Sequence, residues 1–184
     1  VIWKGRLSPD ATPTTELELE RPDLSAFIAQ THRVESWASL RAERAAEILA
    51  QRRAPLAFWV SVTGMRPHAM PYTMELLAVA TELASHLVQR TKATLVCPRP
   101  SDYSARIQPM IPVPGHFAWP SGHATQAFMM AELLSTLAAQ RDEPQPLWWI
   151  EMREQLWRQA DRIATNRVVA GLHFPIDNDA GCVL

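Results

Sequence analysis

Residues 120–139 read PSGHATQAFMMAELLSTLAA, a turn signal followed by a long run with one charged residue, Glu132. Apolar side chains occupy nearly every face of this run when it is drawn as a helix. A helix of that kind has to be surrounded by protein. The stretch therefore predicts a central buried helix, from about His123 to Ala139, around which the rest of the fold packs.

The segments on both sides of this stretch show helical periodicity as well. Apolar residues recur at three- and four-residue steps, and this pattern predicts helices over 24–53, 55–62, 71–92 and 147–170. Six glycines, no alternating pattern and no hairpin dipeptide leave little room for strands. We predict an all-α helical bundle, in which residues 1–24 are an extended arm and residues 25–184 are a single helical domain. The chain stops within what resembles the start of an apolar helix, so we expect a C-terminally truncated piece of a longer protein.

The composition excludes several classes of protein. A net charge of -1 and a pI of about 6.7 argue against binding nucleic acid or anionic membranes by bulk electrostatics. The longest run without acidic or basic residues, 107–131, contains four prolines and cannot form a membrane-spanning helix. Cys97 and Cys182 are too few for a disulfide framework or a zinc site. We therefore expect a soluble protein, with cytoplasmic, periplasmic and secreted locations all open.

A first polar cluster lies where the predicted helix over 71–92 ends. Lys92 is followed seven residues later by Arg99-Pro100, at the start of a Pro-rich segment, 97–120, that is too long for a simple connection. A point charge and a planar guanidinium together suit a tetrahedral oxyanion. The alternative is a solvated pair of cations that the dipole of the helix C-terminus favours.

A second cluster, Ser121-Gly122-His123, opens the central helix. Backbone N–H groups at a helix start are unpaired and attract anions, and Gly122 lets an anion approach them closely. His123 can deliver a proton near neutral pH. The alternative is a plain N-cap at Ser121 followed by a core histidine.

A third cluster, Arg167, His173 and Asp177, lies at and beyond the end of the last long helix. The spacing of four could place the Asp177 carboxylate behind one ring nitrogen of His173, which leaves the other nitrogen free as a nucleophile or metal ligand. The alternative is an Arg and a His that stabilise a helix end. No H-E-x-x-H motif and no dense carboxylate cluster accompanies the three clusters, so we expect them to serve an anionic cofactor or substrate.

Taken in order, Lys92-x6-Arg99-Pro100, Pro120-Ser121-Gly122-His123 and Arg167-x5-His173-x3-Asp177 resemble the signature of vanadium-dependent haloperoxidases and type 2 phosphatidic acid phosphatases. The signature covers residues 92–177. One departure is Asn166, where the family often has Ser. The resemblance implies a helical bundle that holds vanadate or a phosphate group.

The same resemblance implies a role for each residue. The oxygens of the bound group would contact Lys92, Arg99, Arg167, Ser121 and the Gly122 amide. His173 would bond to vanadium or attack phosphorus, and Asp177 would orient it. His123 would act as the acid and base near the apical oxygen.

Within this superfamily the chain is most similar to the bacterial haloperoxidase-like branch. The string Pro120-Ser121-Gly122-His123-Ala124-Thr125-Gln126 resembles the haloperoxidase version of the second motif. His116 lies where bromide-preferring members carry a second histidine, although it could also be an exposed loop histidine. We therefore predict a vanadate-dependent haloperoxidase that uses hydrogen peroxide to oxidise bromide or iodide. Lys92 would polarise the bound peroxide, and the hypohalous acid released would halogenate small organic substrates.

Two alternatives remain open. The first is an acid phosphatase that needs no vanadate, in which His173 forms a phosphohistidine and His123 protonates the leaving alcohol. The second is a helical scaffold with an idle anion site. A homo-oligomer is also left open, because five tryptophans belong either to the core, which is the simpler expectation, or to a subunit interface: Trp37, Trp59, Trp148, Trp149 and Trp157.

Overall fold

The structure, a computed structural model, describes residues 19–53, 55–139 and 147–184. Within these ranges it consists of helices, turns and loops without a strand, as the sequence predicts. The α-helices are α1 (Leu24–Trp37), α2 (Arg41–Arg53), α3 (Pro55–Thr63), α4 (Pro71–Leu95), α5 (Pro100–Tyr103), α6 (Gly122–Ala139), α7 (Leu147–Val169) and α8 (Pro175–Val183). Most of the predicted N-terminal arm, residues 1–18, lies outside the described residues, and the division into an arm and one domain stays a prediction.

Helix α6 is the centre of the bundle, as its sequence predicts. It packs most extensively on α7 and also contacts α8 and α4. Its buried side chains are small or medium in size, which lets the neighbouring helices approach closely: Ala124, Thr125, Ala127, Ala131, Leu134 and Ser135. Its N-terminus therefore lies in the interior, where three neighbouring helices can bring side chains to it.

The segment 24–53 forms two helices rather than one. A 3-10 turn over Ala38–Leu40 separates α1 from α2. The hydroxyl groups of Ser36 and Ser39 donate to carbonyl oxygens three residues earlier, and such local bonds compete with the regular helix and bend it. Helix α1 packs against α5, and α2 packs against α7.

The Pro-rich segment between α4 and α6 is tied to the bundle by backbone hydrogen bonds. The Ala118 N–H donates to the Cys97 carbonyl over 2.8 Å, and the Met110 N–H donates to the Ala170 carbonyl over 3.1 Å. The side chains of Ile107 and Ile111 are buried. Apart from the single turn α5, the segment is the irregular loop that the sequence predicts, and it crosses the end of the bundle where α4 and α7 end.

The predicted C-cap at Gly171 is confirmed. Gly171 has φ +78°, its N–H donates to the Val168 carbonyl, and the Leu172 N–H donates to the Arg167 carbonyl. This is the hydrogen-bond pattern of a Schellman motif, which requires a left-handed residue. The turn reverses the chain after α7 and brings His173 and α8 back towards the start of α6.

The last helix is longer than the sequence predicts, because it begins at Pro175 rather than near Gly181. It crosses α6 at Gly181, where an added Cβ would lie 2.7 Å from the Ser121 carbonyl oxygen and 2.8 Å from the Ala124 Cβ. Both atoms belong to the rigid start of α6. The close crossing therefore needs a glycine at this position.

We expect Gly181→Ala to push α8 away from the start of α6. The expected cost is about 1–3 kcal/mol of the free energy of unfolding, since overpacking forces the backbone to shift. Urea denaturation measures this cost, and the matched control is Ala180→Gly, which opens space instead of filling it. An alanine variant with unchanged stability and unchanged anion binding would show that the crossing is not tight.

Candidate active site

Lys92 and Arg99, the first cluster, are buried rather than solvated, with exposed fractions of 1% and 4%. The Lys92 ammonium donates to the carbonyl oxygens of Phe117 and Ala118 over 2.7 and 2.5 Å. The Arg99 guanidinium donates to the carbonyl oxygens of His116 and Leu172 over 2.9 Å each. The interpretation as a solvated pair of cations is therefore wrong. Burial and the charge of Arg99 lower the pKa of Lys92 to about 7.

His173 lies between Arg99 and Asp177. Its Nε2 is 3.0 Å from the Arg99 Nη1, and its Nδ1 is 2.9 Å from the Asp177 Oδ2. Because a guanidinium can only donate, Nε2 must be the acceptor and the ring proton must lie on Nδ1. Burial and the charges of Arg99 and Lys92 hold the pKa of His173 well below its usual value. The ring is therefore neutral, with its lone pair on Nε2.

Asp177 is fully buried in the first turn of α8. Its Oδ2 accepts both the ring N–H of His173 and the backbone N–H of Phe174, the latter over 3.0 Å. Burial raises the pKa of Asp177 to about 7, while the Phe174 N–H acts in the opposite direction. The Asp177 carbonyl oxygen also accepts the Ser121 N–H over 2.8 Å, so the third cluster is bonded directly to the second.

Arg167 is fully buried near the end of α7. Its Nη2 donates to the Gln51 Oε1 over 2.7 Å and to the Ile48 carbonyl over 3.2 Å. Its Nε and Nη1 have no hydrogen-bond partner within the described part of the chain. Burial lowers the pKa of Arg167 to about 10, which leaves it charged at neutral pH. Two unpaired donors on a buried cation leave room for an anion.

His123 lies in the first turn of α6 and keeps part of its surface exposed. Burial lowers its pKa to about 3, and the charges of Arg167 and Lys92 act in the same direction. The ring therefore feels the positive charge of both Arg167 and Lys92. An anion between them would offset the two charges and raise the pKa of His123 towards the range in which it transfers protons.

Ser121 is buried, and its Oγ accepts the Ala124 N–H over 3.4 Å, so it caps α6 in part. A Cβ added at Gly122 would only make an ordinary contact with Val88, at 3.4 Å. Packing therefore does not require a glycine there. The role of the Gly122 amide in binding an anion stays a prediction.

His116 belongs to the exposed part of the loop, and its Nδ1 is 3.1 Å from the Arg99 Nη2. The residue is therefore an exposed loop histidine that also touches a side chain of the site, and its role towards a halide stays a prediction. Burial lowers its pKa.

Hydrogen bonds thus join residues of all three clusters, since Arg99 contacts His173, His173 contacts Asp177, and Asp177 accepts from Ser121. The side chains of Lys92, Arg99 and Arg167 are here called the cationic cluster. The two guanidinium groups supply fixed positive charges, Lys92 supplies a third when it is protonated, and the buried Asp177 is linked to Arg99 through His173. In the described residues no group of three or more His, Cys, Asp and Glu could hold a metal ion. Because the surplus charge is positive and two guanidinium nitrogens are unpaired, the arrangement fits a tetrahedral oxyanion.

Sequence reasoning missed two parts of this site. The first is Gln51, a buried side chain of α2 that contacts Arg167 and that no motif signals. The second is an apolar cavity of about 540 Å³, here called the apolar cavity, which has His123 and Gln51 in its wall. The rest of its lining comes mainly from α3, α4 and α6 and includes Pro55, Trp59, Met74, Leu77, Ala78, Ala127 and Met130.

The five tryptophans that the sequence assigns either to the core or to a subunit interface differ in their exposure. The side chain of Trp59 is buried, whereas that of Trp148 is 51% exposed. Trp37 and Trp157 are partly buried and pack against core clusters. The side chain of Trp149 lies outside the described residues, so a subunit interface stays a prediction.

A model of the PAP2 superfamily matches residues 73–184, which is more than half of the chain and includes all three clusters. The chain belongs to the PAP2 superfamily. Its fold resembles the crystal structure of a transmembrane PAP2-type phosphatidylglycerolphosphate phosphatase from Bacillus subtilis, with a TM-score of 0.59 and 15% identity. The likeness covers 86% of this chain and 78% of that one. No curated protein matches the chain.

These comparisons confirm the PAP2 superfamily and its all-helical fold. They do not support the haloperoxidase branch over the phosphatases, because the similar structure is that of a phosphatase. Helices α1 to α3 lie outside the matched PAP2 region, which begins at Thr73 within α4, so Gln51 belongs to a part of the chain that the family signature does not cover. None of the helices in the described ranges is both long and apolar enough to cross a membrane.

Proposed function

We propose that this protein is a phosphatase that hydrolyses phosphomonoesters of apolar alcohols through a phosphohistidine at His173. The observation that carries the proposal is the apolar cavity, whose wall includes His123 and also Gln51, the side chain that accepts a hydrogen bond from Arg167 of the cationic cluster. A site of this form can bind a phosphate at one end and an apolar group at the other. The PAP2 family match and the phosphatase-like fold favour the same class of reaction.

Phosphate binding rests on the cationic cluster. The unpaired Nε and Nη1 of Arg167 would donate to two phosphate oxygens. Lys92 and Arg99 would exchange some of their bonds to loop carbonyls for bonds to the phosphate. Once the phosphate is bound, these donors are held in a buried place, so that they stabilise the charge that develops during transfer without further reorganisation.

His173 has the protonation state that a nucleophile needs. Its Nε2 carries the lone pair, and Asp177 holds the ring by Nδ1. Arg99 would release Nε2 when it turns to the phosphate. Attack forms the Nε2–P bond and breaks the bond between phosphorus and the ester oxygen. Asp177 stabilises the positive charge that the ring acquires.

His123 would give its proton to the ester oxygen as the alcohol leaves into the apolar cavity. In the second step, His123 takes a proton from a water molecule that attacks phosphorus. The N–P bond then breaks, and inorganic phosphate and free His173 are released. His123 can act first as an acid and then as a base because the bound phosphate offsets the charges of Arg167 and Lys92, which add to burial in lowering the pKa of His123 to about 3 in the free protein.

We expect kcat/KM to rise with chain length in a series of alkyl phosphates from butyl to octyl. The increase should reach up to about fourfold per methylene group, since burying one methylene is worth about 0.8 kcal/mol. Ala78→Phe, which fills the mouth of the apolar cavity, should flatten this dependence. Val79→Phe is the matched control, because Val79 is exposed and does not line the cavity. A dependence that is flat in the unmodified protein would contradict an apolar alcohol as the leaving group.

A vanadate-dependent haloperoxidase is the second candidate, and the contact of His116 with Arg99 is the observation that favours it. The buried, unpaired nitrogens of Arg167 fit vanadate as well as phosphate. When bound, vanadate would supply a Lewis acid that activates hydrogen peroxide. Lys92, Arg99 and Arg167 would hold its oxygens, His173 would offer Nε2, and His123 would hold or move the proton of the peroxide.

One pair of assays separates these candidates. Phosphate release that vanadate inhibits is the result expected for the phosphatase. Bromide oxidation that requires both peroxide and vanadate, and that phosphate inhibits, would establish the haloperoxidase instead. If neither activity occurs and His173→Ala leaves vanadate affinity unchanged, the idle scaffold is the better description.

A further inference from the structure

Gln51 is a buried amide with three hydrogen bonds, all to polar side chains. Its exposed fraction is 1%. Its Oε1 accepts from the Arg167 Nη2 over 2.7 Å and from the Asn166 Nδ2 over 3.2 Å, and its Nε2 donates to the Glu47 Oε1 over 2.9 Å. Buried polar groups in the interior are costly unless they are fully paired. A well-bonded amide in this place thus links α2 to the cationic cluster.

Glu47, which holds the amide nitrogen of Gln51, is fixed in turn by Arg162 of α7. The Arg162 Nε and Nη2 donate to the two carboxylate oxygens of Glu47 over 2.7 and 2.6 Å. This is the bidentate geometry in which Arg–carboxylate pairs are strongest. The hydrogen bond from Arg162 lowers the pKa of Glu47, which therefore stays ionised. Arg162, Glu47 and Gln51, here called the Gln51 relay, run from the surface to Arg167.

The relay decides which nitrogens of Arg167 remain for an anion. The Nη2 is taken by Gln51 and by the Ile48 carbonyl, whereas Nε and Nη1 are buried and unpaired among the described residues. The amide suits the position of Gln51, because the same side chain must accept from Arg167 and donate to Glu47. A carboxylate could not donate, and an apolar side chain could do neither.

Asn166, on α7, also supports the position of Gln51. Its Nδ2 donates to Gln51, and its Oδ1 accepts from the Arg44 Nη1 over 3.2 Å. Asn166 is also where the chain departs from the serine that the resembling families often carry. The departure therefore coincides with a contact to Gln51, a residue outside the matched PAP2 region.

We infer that Gln51 is a positioning residue that turns the Nε and Nη1 of Arg167 towards the bound oxyanion, and that Arg162 and Glu47 hold Gln51 in place. The inference rests on the proposed function in one respect, since it takes the cationic cluster to be an oxyanion site. The inference assigns part of that site to helix α2, through Gln51. The same positioning would serve phosphate and vanadate.

The test compares vanadate affinity, measured by calorimetry, with kcat/KM for octyl phosphate. Gln51→Met keeps the length of the side chain and removes both of its polar atoms. We expect it to weaken vanadate binding about 10- to 100-fold, as the loss of a supporting hydrogen bond to a ligand-binding group does. The loss in kcat/KM should run parallel, because vanadate resembles the transition state.

Arg162→Ala and Arg158→Ala are a matched pair within the relay test. Both arginines lie on the exposed side of α7, one turn apart, and each binds a glutamate, Glu47 and Glu154 respectively. Only Arg162 connects to Gln51. We expect Arg162→Ala to weaken vanadate binding by up to about fivefold, and Arg158→Ala to leave it unchanged.

The outcomes separate this inference from the proposed function. Vanadate binding by the unmodified protein without ester hydrolysis would refute the phosphatase but leave the Gln51 inference standing. A folded Gln51→Met variant with unchanged vanadate affinity would overturn the inference, even if its melting temperature falls. Failure of the unmodified protein to bind vanadate would overturn both.

Discussion

His173→Ala is expected to lower the rate of ester hydrolysis by at least about 10,000-fold, because it removes the nucleophile and with it the covalent route. The contacts of the His173 ring are the reason for assigning it as the nucleophile. His173 is held by Asp177 on one nitrogen and presents a lone pair on the other, next to Arg99. Rapid quenching of the unmodified enzyme with labelled substrate should trap phosphate on this histidine, and the variant should trap none.

Two further measurements show whether the loss of hydrolysis comes from the missing nucleophile rather than from misfolding or from the removal of any histidine. Because the cationic cluster is intact in His173→Ala, the variant should still bind inorganic phosphate in a calorimeter, which shows that it folds. His32→Ala, at an exposed position of α1, should retain full activity. Substantial hydrolysis by the His173 variant, or trapped phosphate on another residue, would contradict the assignment of the nucleophile.

His123→Gln is expected to lower kcat/KM for alkyl phosphates by about 100- to 10,000-fold, the usual contribution of a general acid. An alkoxide is a poor leaving group and needs the proton. A nitrophenolate leaves without one, so the same variant should lose much less activity with p-nitrophenyl phosphate. The comparison of the two substrates on one variant is independent of how well it folds.

The pH dependence of kcat provides a second test of His123 as the general acid. His123 must be protonated when the alcohol leaves, so kcat for alkyl phosphates should fall as the pH rises through its pKa in the complex. That pKa lies above the value of about 3 in the free protein, since bound phosphate offsets Arg167 and Lys92. The falling limb should be absent in His123→Gln. Equal losses for both substrates would assign His123 a structural role instead.

The fold was predictable because its main signals are local. The run after Pro120, in which Glu132 is the one charged residue, specifies a buried helix, and α6 is the centre of the bundle. The motif residues were predictable because their types and spacing are specific. The 3-10 turn between α1 and α2 was not, since the hydroxyl groups of Ser36 and Ser39 bond there to carbonyls that are also available within a regular helix.

Other parts of the site depend on contacts between distant segments, which a single sequence does not signal. Gln51 lies 116 residues from Arg167 in the chain, yet the two share a hydrogen bond. The apolar cavity is formed by side chains that look like ordinary core residues when each helix is considered alone. The close crossing at Gly181 likewise becomes visible only when α8 lies on α6.

We propose that three separate stretches of the chain hold one oxyanion between them, and a crystal structure of the protein soaked with vanadate would show whether they do. We expect a single vanadate with vanadium bonded to the His173 Nε2 and with oxygens bound by Arg167 Nε and Nη1, Lys92 and Arg99. Vanadate bound elsewhere, or a site in which Arg167 keeps both nitrogens unpaired while vanadate is present, would contradict it.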